Sequence, residues 1–224
     1  MCFGNQIGWE PEQTSETPVL VPGLSSPRAI TLGWDVSCAI SQDGSVYCWG
    51  YNAVGEVGDG TTTNRPAPVR VAGLCPAIDI TAGSSFACAL CENNSVWCWG
   101  ANDCGQLGTP GGTSSPIPVH VQGVDGAVRV SAGQDFVCAT MSDLSLRCWG
   151  SNSVCGSGGG VVSYGPTPSA MPGISGVRQV AAGWQHACVI ETDNSVWCWG
   201  QNASGQLGDG TTMSRPTPAA VPVH

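Results

Sequence analysis

The chain has 224 residues, only 10% of them charged, and a formal net charge of −9. Its seven basic residues are all arginine, which excludes a phosphate-gripping Walker lysine and a Schiff-base lysine, and the acidic balance argues against nucleic acid as a partner. Its 32 glycines and 16 prolines argue against long helices, its 9 tryptophans against disorder, and no apolar run reaches the ~18–20 residues that cross a membrane.

In chain order, the sequence opens on Met1-Cys2-Phe3-Gly4, which has neither the basic start nor the apolar stretch of a secretory signal. The 13 cysteines nevertheless point to an oxidising compartment: outside the cell, at its surface, or in a periplasm. Cys-Trp-Gly then recurs at Cys48-Trp49-Gly50, Cys98-Trp99-Gly100, Cys148-Trp149-Gly150 and Cys198-Trp199-Gly200, a constant step of 50 residues. A second series, Cys38, Cys88, Cys138 and Cys188, keeps the same step. So do Gly33, Gly83, Gly133 and Gly183 upstream, and Asn52, Asn102, Asn152 and Asn202 downstream. Such a period predicts a solenoid or propeller rather than separate folded domains.

Each unit reads as four short strands. In unit one they are expected over Ala29–Gly33, Ser37–Ser41, Ser45–Gly50 and Pro66–Gly73. Cysteine, valine, isoleucine, tyrosine and tryptophan dominate the middle two, as in strands buried on both faces. Between them Gln42-Asp43-Gly44 is a three-residue hairpin loop, with equivalents ending at Asn94, Leu144 and Asn194. Glycine and asparagine suit the left-handed closing position; Leu144 does not. This register sets Cys38 directly opposite Cys48, and likewise Cys88 opposite Cys98, Cys138 opposite Cys148 and Cys188 opposite Cys198. Cα atoms in such non-hydrogen-bonded pairs approach to ~4.5 Å, close enough for disulfides. Buried free thiols are the competing reading.

Four-stranded units of this length fit propeller blades, and unit four carries a more specific resemblance. It reads VAAGWQHAC over 180–188, DNSVWCWG over 193–200, QNASGQLGDGTT over 201–212 and RPTP over 215–218. This resembles the regulator of chromosome condensation repeat family, in particular its exported, cysteine-paired bacterial members, and the resemblance covers nearly the whole chain. It implies an all-β propeller whose loops bind a partner. The family's nuclear founder acts in nucleotide exchange on a small GTPase through an inserted wedge, whereas this chain keeps uniform spacing, an acidic balance and paired cysteines.

The expected domain is one propeller with units at 29–78, 79–128, 129–178 and 179–224, preceded by a partial unit, 1–28, holding third and fourth strands only. Because Cys2-Phe3-Gly4-Asn5 matches the third-strand motif, the units make an incomplete arc of about four and a half repeats. Three readings fit it: a piece of a longer chain, an open arc completed by another chain, or a small closed ring. An open arc is expected to expose aromatic residues on its two end faces. Unit three is degenerate, with CGSGGG over 155–160 and no counterpart of Arg65 and Arg215.

Other constellations are weaker. Cys75 and Cys91 flank the first two strands of unit two, which antiparallel pairing would bring together as a disulfide. Cys2, Cys104 and Cys155 have no assigned partner. No metal or cofactor is expected: positions 88 and 91 point to opposite faces of a strand, against a zinc site, and the Asp59 and Asp209 loops hold too few carboxylates for calcium. The histidines, His120, His186 and His224, suggest no catalytic triad. Asp43, Glu92, Asp143, Glu191 and Asp193 form an acidic rim at the hairpin turns, read as solvated turns.

The function expected is an exported, non-catalytic scaffold binding a protein or ligand through loops on one face. The loops between first and second strands vary most and form the candidate binding set: Trp34 and Asp35, Ser84 and Ser85, Gln134 and Asp135, Trp184 and Gln185. Trp34 and Trp184 are the expected anchors, at the two ends of the arc; packing between blades is the competing role. The alternatives are nucleotide exchange on a small GTPase and a non-catalytic part of a larger secreted enzyme or surface protein. The partner expected is an unidentified protein, with further repeats from the same or another chain, and neither nucleic acid nor membrane insertion.

Overall fold

Short runs of strand-forming residues, cut at regular intervals by glycine and turn residues, leave no stretch long enough for a helix. The computed structural model describes residues 2–4, 15–151 and 163–222. Strands β1 (Cys2–Gly4) and β2 (Ser15–Val19) pair antiparallel. Blade one follows as β3 (Pro27–Leu32), β4 (Val36–Ser41), β5 (Val46–Gly50) and β6 (Arg65–Arg70). Blade two is β7 (Ala77–Ala82), β8 (Phe86–Cys91), β9 (Val96–Gly100) and β10 (Ser115–His120). Blade three is β11 (Ala127–Ala132), β12 (Phe136–Met141), β13 (Leu146–Ser151) and β14 (Ser163–Ala170). Blade four is β15 (Val177–Ala182), β16 (His186–Glu191), β17 (Val196–Gly200) and β18 (Arg215–Ala220). Each blade is a four-stranded antiparallel sheet in chain order, and together they form an incomplete propeller.

The hairpin register is the one the sequence predicts. Ser41 N donates to the Ser45 carbonyl (2.9 Å) and Gly44 N to the Ser41 carbonyl (3.0 Å), closing the three-residue loop. Cys38 then faces Cys48, and the disulfide joins Cα atoms 4.1 Å apart. Cys88–Cys98, Cys138–Cys148 and Cys188–Cys198 repeat it at 4.0, 4.1 and 4.1 Å. Each bridge closes a loop of about ten residues, worth roughly 2–3 kcal/mol by chain entropy. Cys75 and Cys91 are bonded as well, and Cys104 is disulfide-bonded; Cys155 and the glycine-rich stretch of unit three lie outside the described residues.

The core lies between the blades rather than within them. One buried cluster joins Val36, Ile40 and Val46 of blade one to Ile80, Ala87 and Trp99 of blade two. Equivalent clusters, built around Trp149 and Trp199, join blades two to three and three to four. Trp99 Nε1 donates to the Glu56 carbonyl of the preceding blade, and Trp149 Nε1 to that of Gln106, both at 2.9 Å. Trp199 Nε1 donates instead to the Tyr164 hydroxyl at 2.5 Å. The tryptophan thus satisfies its one polar atom while filling the gap between sheets.

The end face of blade one differs from the aromatic surface expected. On the first strand of blade one, Ile30 and Leu32 are 59% and 65% exposed, whereas Ile80, Val130 and Val180, equivalent to Ile30, are 7–8% exposed against the preceding blade. The exposed surface there is aliphatic, because Trp49 itself is buried. Among the described residues the exposed tryptophans lie elsewhere, in the loops described below.

Leu144 closes its hairpin with φ +64°, beside Gly44 at +80°, Asn94 at +65° and Asn194 at +70°. A branched side chain there costs on the order of 1 kcal/mol in backbone strain, and Leu144 is exposed, so little packing offsets it. Leu144→Asn is expected to stabilise the fold by about 0.5–1 kcal/mol, raising the unfolding midpoint by ~1–4 °C. A lower midpoint in a thermal melt would show that leucine's contacts outweigh the strain.

Candidate functional site

The four first strands run side by side, parallel, and their closeness depends on glycine. A Cβ on Gly33 would stand 2.5 Å from the Gly83 carbonyl, on Gly83 2.6 Å from that of Gly133, and on Gly133 2.6 Å from that of Gly183. No other residue allows this approach, which is why the sequence keeps glycine at this step. Just beyond it, the variable loops join in series: Trp34 N donates to the Gly83 carbonyl (3.2 Å), Ser84 N to that of Gln134 (2.8 Å), and Gln134 N to that of Trp184 (2.9 Å).

This places Trp34, Ser84, Gln134 and Trp184 around one cleft of about 290 Å³, walled by the glycines and by Leu32, Ala82, Ala132 and Ala182. Trp34 and Trp184 meet, ring centroids 4.6 Å apart and tilted by 53°. They are 63% and 47% exposed. The expectation of anchors at opposite ends of the arc is therefore corrected: the tryptophans come from the first and last four-stranded blades, yet their rings are in contact. Neither belongs to the buried clusters between blades.

The other four loop residues do not line the cleft. Asp35, Ser85, Asp135 and Gln185 accept through their backbone carbonyls from the residues just after Cys-Trp-Gly: Tyr51, Ala101, Ser151 and Gln201, at 2.8–2.9 Å. The close approach explains the motif's glycine, which carries positive φ, +101° at Gly100, where a Cβ would stand 2.5 Å from the Ser85 carbonyl. Gln185 Nε2 also donates to Gln134 Oε1 (2.9 Å), coupling the third and fourth loops. Burial, reinforced by the Asp103 carboxylate, pushes Asp135 up to about 6. Burial also raises Asp35.

The loop between third and fourth strands frames this face. Buried Asn52 holds it, donating to the Thr63 carbonyl (2.9 Å) and accepting from Val57 N (2.9 Å). Asn102 and Asn202 act alike, which gives the asparagine of the repeat a buried structural role. The Asp59 and Asp209 turns are braced by arginine: Arg65 Nε and Arg215 Nε each donate to the aspartate at 2.6 Å. The hairpin-turn aspartates Asp43, Asp143 and Asp193 likewise bond to serines of their own turns. Among the described residues no cluster of three or more metal-ligating side chains occurs.

Sequence reasoning missed Glu56 and Asp103. Glu56 stands where Gln106 and Gln206 stand in other repeats, a departure visible in the sequence. Its Oε2 accepts from Val54 N (2.9 Å), as Gln106 Oε1 does from Cys104 N (2.8 Å). Its Oε1 is buried without a partner, and burial raises its pKa.

Repeated four-stranded blades with loops gathered over the first strands define a β-propeller of the binding-scaffold class. Family models described as the regulator of chromosome condensation (RCC1) repeat match residues 43–90, 93–140 and 193–223, and, in a second form, 28–56, 77–106 and 177–206. These matches span more than half of the chain, which belongs to this family. Among solved structures, human WBSCR16 superposes with a TM-score of 0.83 at 19% identity, over 99% of this chain and 60% of that one. Yeast RCC1 (Prp20), solved bound to Kap60, gives 0.78 at 21% identity, over 94% and 52%. The chain thus spans little more than half the length of these structures, and the likeness is one of fold. Comparison with curated protein sequences finds no match.

Two pH-dependent outcomes follow. Asp135 has its folded pKa raised to about 6, so between pH ~4 and ~6 the unfolded chain releases this proton while the fold retains it, and stability falls as pH rises. Asp135→Asn should remove up to about 2 kcal/mol of that fall, matching the parent near pH 4 and exceeding it above pH 6 in denaturant titrations. A difference independent of pH would reject the raised pKa. Glu56→Gln should likewise stabilise at pH 7 by about 1 kcal/mol and lose that advantage in acid, because the buried carboxyl is disfavoured only when ionised.

Proposed function

We propose that this chain is an exported, non-catalytic propeller scaffold that binds a protein through the face carrying Trp34, Ser84, Gln134 and Trp184. The observation that carries this is the exposed tryptophan pair at the centre of that face. Two large aromatic surfaces held by backbone hydrogen bonds, and left in water, are what a recognition hot spot presents before its partner arrives. The flanking Asp35, Asp135 and Gln185 supply a polar rim.

The disulfides favour an oxidising environment, and no described helix is long and apolar enough to cross a membrane. Protein binding also agrees with what is recorded of the yeast relative, which was crystallised with Kap60 and whose binding to Gsp1p and histones has been characterised. Nucleotide exchange stands only as a family analogy, with no observation on this face that favours it.

The test needs a partner captured with the immobilised protein, followed by affinity measurements on variants. Trp34→Ala and Trp184→Ala should each weaken binding roughly thirtyfold, about 2 kcal/mol, while the unfolding midpoint moves little. If both variants lose thermal stability sharply yet bind normally per folded molecule, the pair is a structural clasp and the face assignment fails.

A further inference from the structure

The first strands have a second end, remote from the tryptophans, and its chemistry is opposite. There Asp79, Arg129, Ser131, Arg178 and Gln179 line a cleft of about 440 Å³. In a chain of net charge −9 with seven arginines, two exposed arginines at one cleft are a marked local reversal of sign.

Arg129 and Arg178 stand on the neighbouring parallel strands β11 and β15. Ser131 Oγ accepts from Ala182 N (2.9 Å), and this fixes their offset. In that register Arg129 is level with Val180, and Arg178 lies further toward the strand start, at the irregularity between Val177 and Gln179.

Neither guanidinium is closed into an ion pair among the described residues, although Arg129 lies near enough to the Asp79 carboxylate to favour its charged form. The ion pairs among the described residues are Arg65–Asp59, His120–Asp125 and Arg215–Asp209. Asp79, the acid at the cleft, is committed to the backbone: Oδ1 accepts from Ile80 N (3.0 Å) and Oδ2 from Val130 N (3.4 Å), pinning β7 to β11. The Ser131 hydroxyl accepts from Ala182 but keeps its hydrogen to donate. Gln179 adds an exposed amide, and Val130 and Val180 an apolar floor.

We propose that this cleft binds a small organic polyanion, a molecule with two carboxylate or phosphate groups on a short carbon frame, one group held by Arg129 and the other by Arg178. A guanidinium presents a planar fork of donors that matches either oxyanion, and two forks a short distance apart select for two such groups. The volume is that of ordinary small-molecule sites. Because the rest of the protein is acidic, attraction is confined to the cleft and weakens with salt.

The test is calorimetric titration of the whole chain at low salt with citrate and, separately, with pyrophosphate. At least one should bind saturably with a dissociation constant at or below ~1 mM, and Arg129→Gln and Arg178→Gln should each weaken it at least about tenfold. Both positions are exposed, so the unfolding midpoints should stay within ~1 °C of the parent. Preference for citrate assigns carboxylates, and preference for pyrophosphate assigns phosphates. Amide shifts on titration should concentrate in β11 and β15. Absence of saturable binding by either probe, affinity unchanged in the double variant, or shifts centred elsewhere would overturn the site.

Discussion

The indole of each Cys-Trp-Gly motif is the joint on which the molecule depends. Trp99 and Trp149 fill the space between successive sheets and spend their only polar atom on a carbonyl of the preceding blade. A propeller has little core inside a blade, since each sheet is one layer thick; its apolar faces are buried only when the next sheet arrives. The carbonyls that receive the indoles, those of Glu56 and Gln106, sit in loops held by Asn52 and Asn102. One side chain per repeat therefore supplies core, inter-blade register and loop geometry. Blade three shows how the joint adapts, with the Tyr164 hydroxyl accepting from Trp199 in place of a carbonyl.

The same motif works in the other two directions. Its cysteine locks the middle hairpin of the blade, and its glycine lets the chain pass close to the carbonyl of the loop between first and second strands. That loop is thus held at its second residue by a backbone bond whatever its side chains are. This separation of roles permits Trp34, Ser84, Gln134 and Trp184 to differ while their backbones remain equivalent. It is the arrangement expected of a scaffold on which recognition residues vary freely.

The two ends of the first strands now have distinct characters. At one end, glycine-level approach of the strands gathers neutral and aromatic side chains. At the other, the Asp79 side chain pins its strand to the next, and arginines occupy the open positions. Neither end disturbs the other, because the strands between them are fixed by the same inter-blade contacts.

The sequence by itself determined the fold class, the blade order and the pairing of Cys38, Cys88, Cys138 and Cys188 with Cys48, Cys98, Cys148 and Cys198. Those features are local: a fixed period, a three-residue hairpin loop and a strand alternation place opposed residues without any knowledge of the remainder. It also marked Leu144 as the misfit, because a left-handed closing position follows from loop length alone. Only the tertiary structure decided that Trp34 and Trp184, 150 residues apart, touch each other, and that Asp35 and Asp135 flank the cleft without lining it. It also decided that Arg129 and Arg178 share a surface while Arg65 and Arg215 are spent on aspartates. Those outcomes depend on how far one blade rotates past the next, and that rotation is set by packing around the buried tryptophans, which no spacing in the chain encodes.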